Sequence, residues 1–446
     1  MMAGYDSFGL IDRHPRAAIS LDAARRIFES GAPDRDGFLP FGNGKSYGDS
    51  CHNDRGTLVD MRESDQLISF DPQTGLLAAE AGLMLSDIIA LAAPHGYFLP
   101  VTPGTRFITL GGAIANDVHG KNHHRRGTFG CHVERFDLLK SDGTVVTCSA
   151  SMNSKLFAAT IGGLGLTGII LSASIRLMKV NSLDVVESVK PFASLAEYFE
   201  MAPQADNDNE YAVAWVDQLS SGRRAGRGVL LTGNHAENGS FEATTEESRL
   251  GVPFELPISA LNYPSLKLFN AAYFHFKGRK REPHLSTYQA FFYPLDSVSN
   301  WNRLYGRTGL YQHQSVIPED AASVVIPQML AATREAGQSS FLTVLKRFGD
   351  VASPGIMSFP RAGYTLTVDF PNRGARTLAL LERLDSMTID ADGRVNPYKD
   401  QRMSSAVFKA GFPGWQELEK ERDPAFNSNF WARTALAGGT AGCIKF

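Results

Sequence analysis

The stretch 101–130, VTPGTRFITLGGAIANDVHGKNHHRRGTFG, restricts the fold more tightly than any other part of the chain. It gathers glycines with His119, His123 and His124 in one short run. Gly104, Gly111 and Gly112 carry no Cβ, so the backbone there can take positive φ and a ligand can press directly on the main chain. The stretch reads as a loop built around a ligand. Metal binding by the histidines is still open at this point.

A chain of 446 residues is too long for one ordinary core, so two domains are expected. Its net charge of −3 leaves no basic footprint for a nucleic-acid partner. Cys51, Cys131, Cys148 and Cys443 lie far apart, with no CxxC or Cys/His ligand spacing. That argues against a zinc ribbon or an iron–sulfur cluster held by this chain alone and fits a reducing compartment. The N-terminal MMAGYDSFGLIDRHPRAAIS lacks the basic and apolar regions of a signal peptide, and no apolar run approaches a membrane span. A cytoplasmic location is the expectation.

Taken in order, Leu21, Ala24, Ile27 and Phe28 recur at helical spacing, predicting a short helix between Ser20 and Gly31. LPFGNGKSYGDS, 39–50, reads as a strand end entering a turn whose successive N–H groups suit a pyrophosphate. It is neither a P-loop, whose leading glycine falls on Leu39, nor GxGxxG, and a plain surface turn is an equal alternative. A hairpin turning at Asp71-Pro72 and Gly75, a helix at 85–93 and a strand-turn-strand at 136–149 follow. A helix entering a Gly-rich turn, 155–168, and a buried strand, 169–180, complete an α+β region and not a regular βαβ array.

From Asn181 to about Asp392 the chain carries strand-like runs at 211–216 and 364–370 and helical patterns at 323–337 and 375–384. A second domain is the simplest reading. Between Ala236 and His284 lies an insert, polar at first and then rich in Leu, Tyr and Phe, ending in Lys277, Arg279, Lys280 and Arg281. An apolar stretch beside a basic cluster can lie on an anionic membrane surface. A core helix with a solvated basic end is the alternative.

The pair GNGKSYGD and PGTRFITLGGAIANDVHGKNHH resembles the vanillyl-alcohol-oxidase, or PCMH-type, family of FAD-linked oxidoreductases. HGKNHH, YQHQSVIP, FLTVLKRF, TVDFP and YKDQR, in that order, are similar to its decaprenylphosphoryl-ribose-oxidase-like branch, and the resemblance runs through most of the chain. It implies an α+β, two-domain fold: an FAD-binding domain of residues 1–180 completed by 393–446, and a substrate domain, 181–392, on a mainly antiparallel sheet. It also implies that Gly42, Asn43, Gly44, Lys45, Ser46 and Tyr47 cradle the pyrophosphate. Gly104, Thr105, Gly111, Gly112, Ala113, Ala115, Asn116, His119 and Gly120 would line the isoalloxazine and phosphates, and Thr167, Gly168 and Ile169 the adenine end. The position of histidyl-flavin attachment in some relatives is Lys45 here, so the FAD is expected to be non-covalent.

By the same resemblance Tyr47, His119, Lys121, Trp215, Gln312, Gln314, Lys346, Phe348 and Lys399 would contact substrate. Lys399 is the catalytic candidate: a cation or neutral amine beside the reacting carbon can stabilise an alkoxide or take its proton. Without the resemblance, YKDQ would read as an exposed lysine beside an aspartate. His119 is the second catalytic candidate, while His123 and His124 read as structural or surface residues. Gln312 and Gln314, two apart on a strand, would share one face. Two positions depart from the family pattern: its cysteine before Val368 is Thr367, and its tyrosine before the catalytic lysine is Asn396.

The implied activity is FAD-dependent oxidation of a sugar secondary alcohol, carried on a polyprenyl phosphate, as the first half of an epimerisation completed by an NAD(P)H-dependent short-chain reductase. The product would feed arabinose into cell-envelope polysaccharide, and residues 252–281 could contact the inner membrane. A soluble alditol or aldonolactone oxidase, and a non-catalytic FAD electron-transfer subunit, are the alternatives.

Overall fold

A computed structural model describes residues 4–31, 37–257, 259–279 and 282–437. Its α+β architecture is laid down by four sheets. Ala18–Ser20 and Phe38–Phe41 flank Thr57–Asp60 in a parallel three-stranded sheet. The helix Leu21–Glu29 starts where the Ser20 hydroxyl accepts the Ala23 N–H, and it buries Ala24 and Phe28 against this sheet's core.

A second, five-stranded antiparallel sheet runs in the order Leu67–Asp71, Leu76–Glu80, Ile169–Arg176, Val133–Leu139, Val145–Ser149. Leu77 and Ala79 alternate inward from the second of these strands, as a strand with one covered face must. They meet Ile88, Ile89, Phe98, Leu110 and Phe136 in one core. The loop 101–130 is stretched over this core, with Leu110, Ala113 and Ile114 pointing into it.

The largest sheet has eight strands, and every pairing in it is antiparallel. Its order is His284–Ser286, Val185–Phe192, Gly228–His235, Tyr211–Val216, Thr343–Phe348, Gly363–Pro371, Leu310–Ile317, Arg394–Val395. The helices Leu195–Asp208, Glu319–Glu335 and Ala375–Asp390 cover one face, where Ala214, Leu345, Leu366, Val368 and Phe370 are buried. Period two then sends Trp215, Lys346, Thr365, Thr367 and Asp369 to the other face. That face is also buried, so Gly363–Pro371 is buried at every position.

The chain then turns back. After Arg394–Val395 pairs with Ser315 and Val316, residues up to 437 pack against the parallel sheet, with Trp431 wholly buried beside Leu39 and Leu58. The Phe38 N–H donates to Ala425 O at 2.7 Å, and the Asn427 N–H donates to Phe38 O at 3.0 Å. A Cβ on Gly48 would fall 1.6 Å from Asp400 O, so only glycine permits this approach of the 42–48 turn to the 397–400 turn. The Tyr47 N–H donates to Tyr398 O at 3.0 Å, and Arg433 bridges Asp49 at 2.9 Å and Asp400 at 3.0 Å.

Two helices differ from their sequence expectation. Glu319–Glu335 begins four residues earlier than 323, because Pro318 can precede a helix and Glu319 and Asp320 suit its positive end. Ala375–Asp390 runs past Leu384, because Asp385 and Thr388 are still buried against the sheet side. Within the insert, Tyr263–Lys277 is a helix opened by a capping box between Asn262 and Ser265. It is not the core helix of the alternative reading: Leu266 and Asn270 are buried, whereas Leu268 and Phe276 are 74% and 69% exposed. Lys280 and Arg281 lie outside the described residues.

Candidate active site

A cavity of about 850 Å³ opens between the 42–48 turn, the 101–120 loop and the polar face of the eight-stranded sheet. On its first side the N–H groups of Asn43, Gly44, Lys45 and Ser46 donate to no acceptor among the described residues. Gly44 sits at φ +59, which bends these donors into a concave set suited to an anion. The Asn43 side chain donates to Phe107 O at 2.8 Å and ties the turn to the loop opposite. By contrast, the start of the helix Leu110–Ala115 is satisfied within the protein: Thr109 caps Gly112, and the Leu110 and Gly111 N–H groups donate to Leu83 O and Ala81 O. The free anion cradle is therefore the 42–46 turn. At Gly104 a Cβ would meet nothing within 4 Å, so that stretch of main chain faces open cavity.

Asp117 holds the loop in place. Its buried carboxylate accepts from Gly130 N at 2.8 Å, from Ser353 Oγ at 2.6 Å and from Ser358 Oγ at 2.5 Å. Two residues on, His119 reaches the sheet, where the Gln314 side-chain amide lies 3.0 Å from its Nε2. Gln314 is itself fixed, because its Nε2 donates to Thr365 Oγ1 at 3.1 Å and its Oε1 accepts from Asn396 at 2.9 Å. With the amide donating, His119 Nε2 is the acceptor and the neutral ring carries its proton on Nδ1. Burial first, then Lys346, holds His119 well below the usual histidine range.

Besides Lys45, three lysines line the same cavity. Burial pushes Lys399 down to about 7, with Asp369 opposing that and Lys346 adding to it. Its ammonium stands 4.0 Å from the centre of the Tyr47 ring, a cation–π contact. Burial pushes Lys346 down to about 8 and Lys121 down to about 7. Lys121 donates to Phe291 O and stands 4.5 Å from the Phe291 ring. Behind this group Gln312 donates to Asp369 at 2.6 Å, and burial pushes the Asp369 carboxyl up to about 7.

Of the residues expected from the sequence, Gly42 to Tyr47, Gly104, Thr105, Gly111, Gly112, Ala115, Asn116, His119, Gly120, Gly168, Lys121, Trp215, Gln312, Gln314, Lys346 and Lys399 line this cavity. Ala113 and Ile169 are turned into the core instead, and Thr167 bonds Thr160 at 2.9 Å. Phe348 does not reach the cavity; it backs His119, ring centres 4.8 Å apart, and His123, 4.5 Å apart. The side chains of His123 and His124 are both buried, so neither is a surface group. Asp369 was not expected in the site, and Asn396, noted above as a departure from the family pattern, is found holding Gln314. The alternation in YTLTVDFP marks Asp369 for the face of Thr365 and Thr367, but a strand buried on both sides hides that signal.

Although no ligand spacing is visible in the sequence, the fold brings Asp12, His52 and Asp54 together. The Arg16 guanidinium already pairs both carboxylates, at 3.3 Å and 2.7 Å, and occupies the place of a cation.

Residues 22–149 match the family model described as FAD binding domain. The chain is 33% identical over 401 residues to decaprenylphosphoryl-beta-D-ribose oxidase of Mycolicibacterium smegmatis, covering 87% of this chain and 86% of that one. An uncharacterized protein of Streptomyces coelicolor is 31% identical over 79% of this chain and 100% of its own length. L-gulonolactone oxidase of Mus musculus is 26% identical over 37% of this chain and 40% of its own.

The buried lysines carry a pH signature. A lysine in the unfolded chain holds its proton to about pH 10, whereas these lose theirs near 7 to 8, so the unfolded state binds more protons in that window. Stability then rises with pH from about 7 to about 10. Urea unfolding is expected to show this rise, and Lys346→Met to flatten it, adding about 2 kcal/mol near pH 7 and less at higher pH.

Proposed function

Since the chain belongs to the family of FAD-dependent oxidoreductases that includes decaprenylphosphoryl-beta-D-ribose oxidase, we propose that it oxidises a secondary alcohol of a sugar to the ketone, the 2′-hydroxyl of a polyprenylphosphoryl pentose. The observation that carries this reading is the meeting of Lys399, His119 and Gln314 with an anion cradle in one cavity.

The residues fit FAD. The free N–H groups of 43–46 suit its pyrophosphate, and the bare main chain at Gly104 leaves room for a flat ring against the 101–120 loop. Bound there, FAD would supply the acceptor for the carbinol hydrogen as hydride. Lys399 as the neutral amine takes the hydroxyl proton, and as the ammonium it stabilises the developing alkoxide. His119, oriented by Gln314, hydrogen-bonds the sugar, and Gln312 presents its unpartnered amide oxygen to a hydroxyl. Lys121 and Lys346 receive the phosphate. Because Lys45 takes the place of the attachment histidine, the FAD is held non-covalently.

Aromatic side chains lead away from this polar centre: Phe8 lies 5.1 Å from Tyr47 and 5.2 Å from Trp301, and Phe269 lies 5.1 Å from Phe341. They line the cavity out to Tyr273 on the helix Tyr263–Lys277, and would shelter an isoprenoid chain. The outer side of that helix, with exposed Leu268 and Phe276 beside Lys267 and Arg279, rests on an anionic membrane in this reading. No helix among the described residues is long and apolar enough to cross a membrane. Residues 1–180 with 393–446 would hold the flavin, and 181–392 the substrate. The ketone product calls for a partner that reduces it from NAD(P)H. The similarity to L-gulonolactone oxidase favours a second reading, oxidation of a free polyol or lactone.

The loaded protein is expected to leave its FAD in the supernatant on acid precipitation. Lys399→Met should keep that FAD and lose about 10²–10⁴ in the rate of anaerobic flavin reduction by substrate, measured by stopped flow. An unchanged rate would favour a non-catalytic subunit. Phosphatidylglycerol vesicles should sediment the protein, and Leu268→Glu with Phe276→Glu should abolish that; equal sedimentation of both would exclude this helix as the contact.

A further inference from the structure

Asp369 is a buried carboxylate that the proposed chemistry does not use. It lies on Gly363–Pro371, directly across from Gln312 in the pairing of that strand with Leu310–Ile317. Gln312 donates to one of its oxygens at 2.6 Å, and its own N–H donates to Ser340 Oγ at 3.0 Å. The other oxygen has no partner at hydrogen-bond length, and neither has the buried Tyr305 hydroxyl that faces it. Asp117 shows what a purely structural buried carboxylate requires: one main-chain and two hydroxyl donors. Asp369 has one neutral amide at hydrogen-bond length, the Tyr305 hydroxyl farther off, and no arginine or histidine, which leaves an anion poorly supported. Gln312, which holds Asp369, lines the same cavity as Lys399, and the ammonium of Lys399 is the opposite charge that acts on the carboxylate.

We propose that Asp369 is a positioning residue for Lys399: behind Gln312 and out of reach of substrate, it is the counter-charge that stabilises the ammonium formed when Lys399 takes the substrate's hydroxyl proton. This deepens the reading of Lys399 as the base and rests on it. One proton moves, from the substrate oxygen to Lys399 Nζ, and Asp369 answers the new positive charge without joining a bond. The other groups facing Lys399 are Lys346, which repels it, the Tyr47 and Tyr398 rings, and His119, which stays neutral. Those facing Asp369 are Lys399, Tyr305, Tyr47 and Gln312. Burial drives the carboxyl up and the amine down, and the charge of each opposes that drift in the other.

The test is Asp369→Asn in the FAD-loaded protein. Removing an anion disfavours the ammonium, so Lys399 loses its proton at lower pH. The rising limb of the limiting rate of flavin reduction, at saturating substrate, should move to lower pH by about half a unit or more, and the rate itself should fall about tenfold. A loss of rate with the limb in place would mean a structural role and overturn the inference. A second measurement stands if that variant folds poorly: the infrared carbonyl band of a protonated carboxyl should titrate near neutral pH and shift to higher pH in Lys399→Met. A band unmoved by that substitution would also overturn it. If Lys399→Met reduces flavin at the parent rate, the reading of Lys399 fails; if it is slow while the Asp369→Asn limb stays put, only the role of Asp369 fails.

Discussion

The buried carboxylate of Asp117 is the interaction on which the site depends. It belongs to the 101–130 loop, yet two of its donors, Ser353 and Ser358, come from the segment between the sheet strands Thr343–Phe348 and Gly363–Pro371. A carboxylate placed out of water is costly unless its lone pairs are filled, and here the filling couples two distant segments. Asp117 also sits at φ +42, a conformation an aspartate tolerates better than most side chains. With that residue fixed, His119 has little choice but to meet Gln314, and Phe348 and Phe359 close around its ring.

Similar logic runs through the C-terminal return. The turn that carries Lys399 is pressed onto the 42–48 turn by the Gly48 approach, the Tyr47–Tyr398 hydrogen bond and the Arg433 bridge to Asp49 and Asp400. The 42–46 turn and the Lys399 amine, far apart in sequence, are thus held in one rigid relation. The electrostatic consequence is a cavity in which burial lowers Lys121, Lys346 and Lys399, and Lys346 lowers the other two further. Such an arrangement opposes folding and favours an anionic ligand, as expected where binding residues are selected for chemistry over stability.

Much of this was legible in the residues, for definable reasons. The α+β class, the hairpin at 67–80 and the helix at 85–92 follow from apolar period and turn residues, which act locally. The Gly-rich 101–130 loop announced a ligand because its backbone-permissive and polar residues are packed together, the 39–50 turn read equally well as a surface turn, and motif order supplied the flavin. Lys399 was not legible by itself, since its burial comes from the Gly48 approach across the fold. Nor was Asp369, because period two is masked when both faces of a strand are covered. The insert 236–284 resisted for a third reason. Its helix buries Leu266 and Asn270 and exposes Tyr263, Leu268 and Phe276, so composition alone could not separate a core helix from a surface one.

The central claim is that the cavity holds flavin beside a sugar carried on a phosphorylated lipid. Anaerobic titration of the FAD-loaded protein with polyprenylphosphoryl pentoses and, separately, with free alditols and aldonolactones tests it most directly. The account predicts bleaching of the flavin absorbance by the lipid-linked sugars and none by the free ones. Bleaching by the free polyols alone would contradict it.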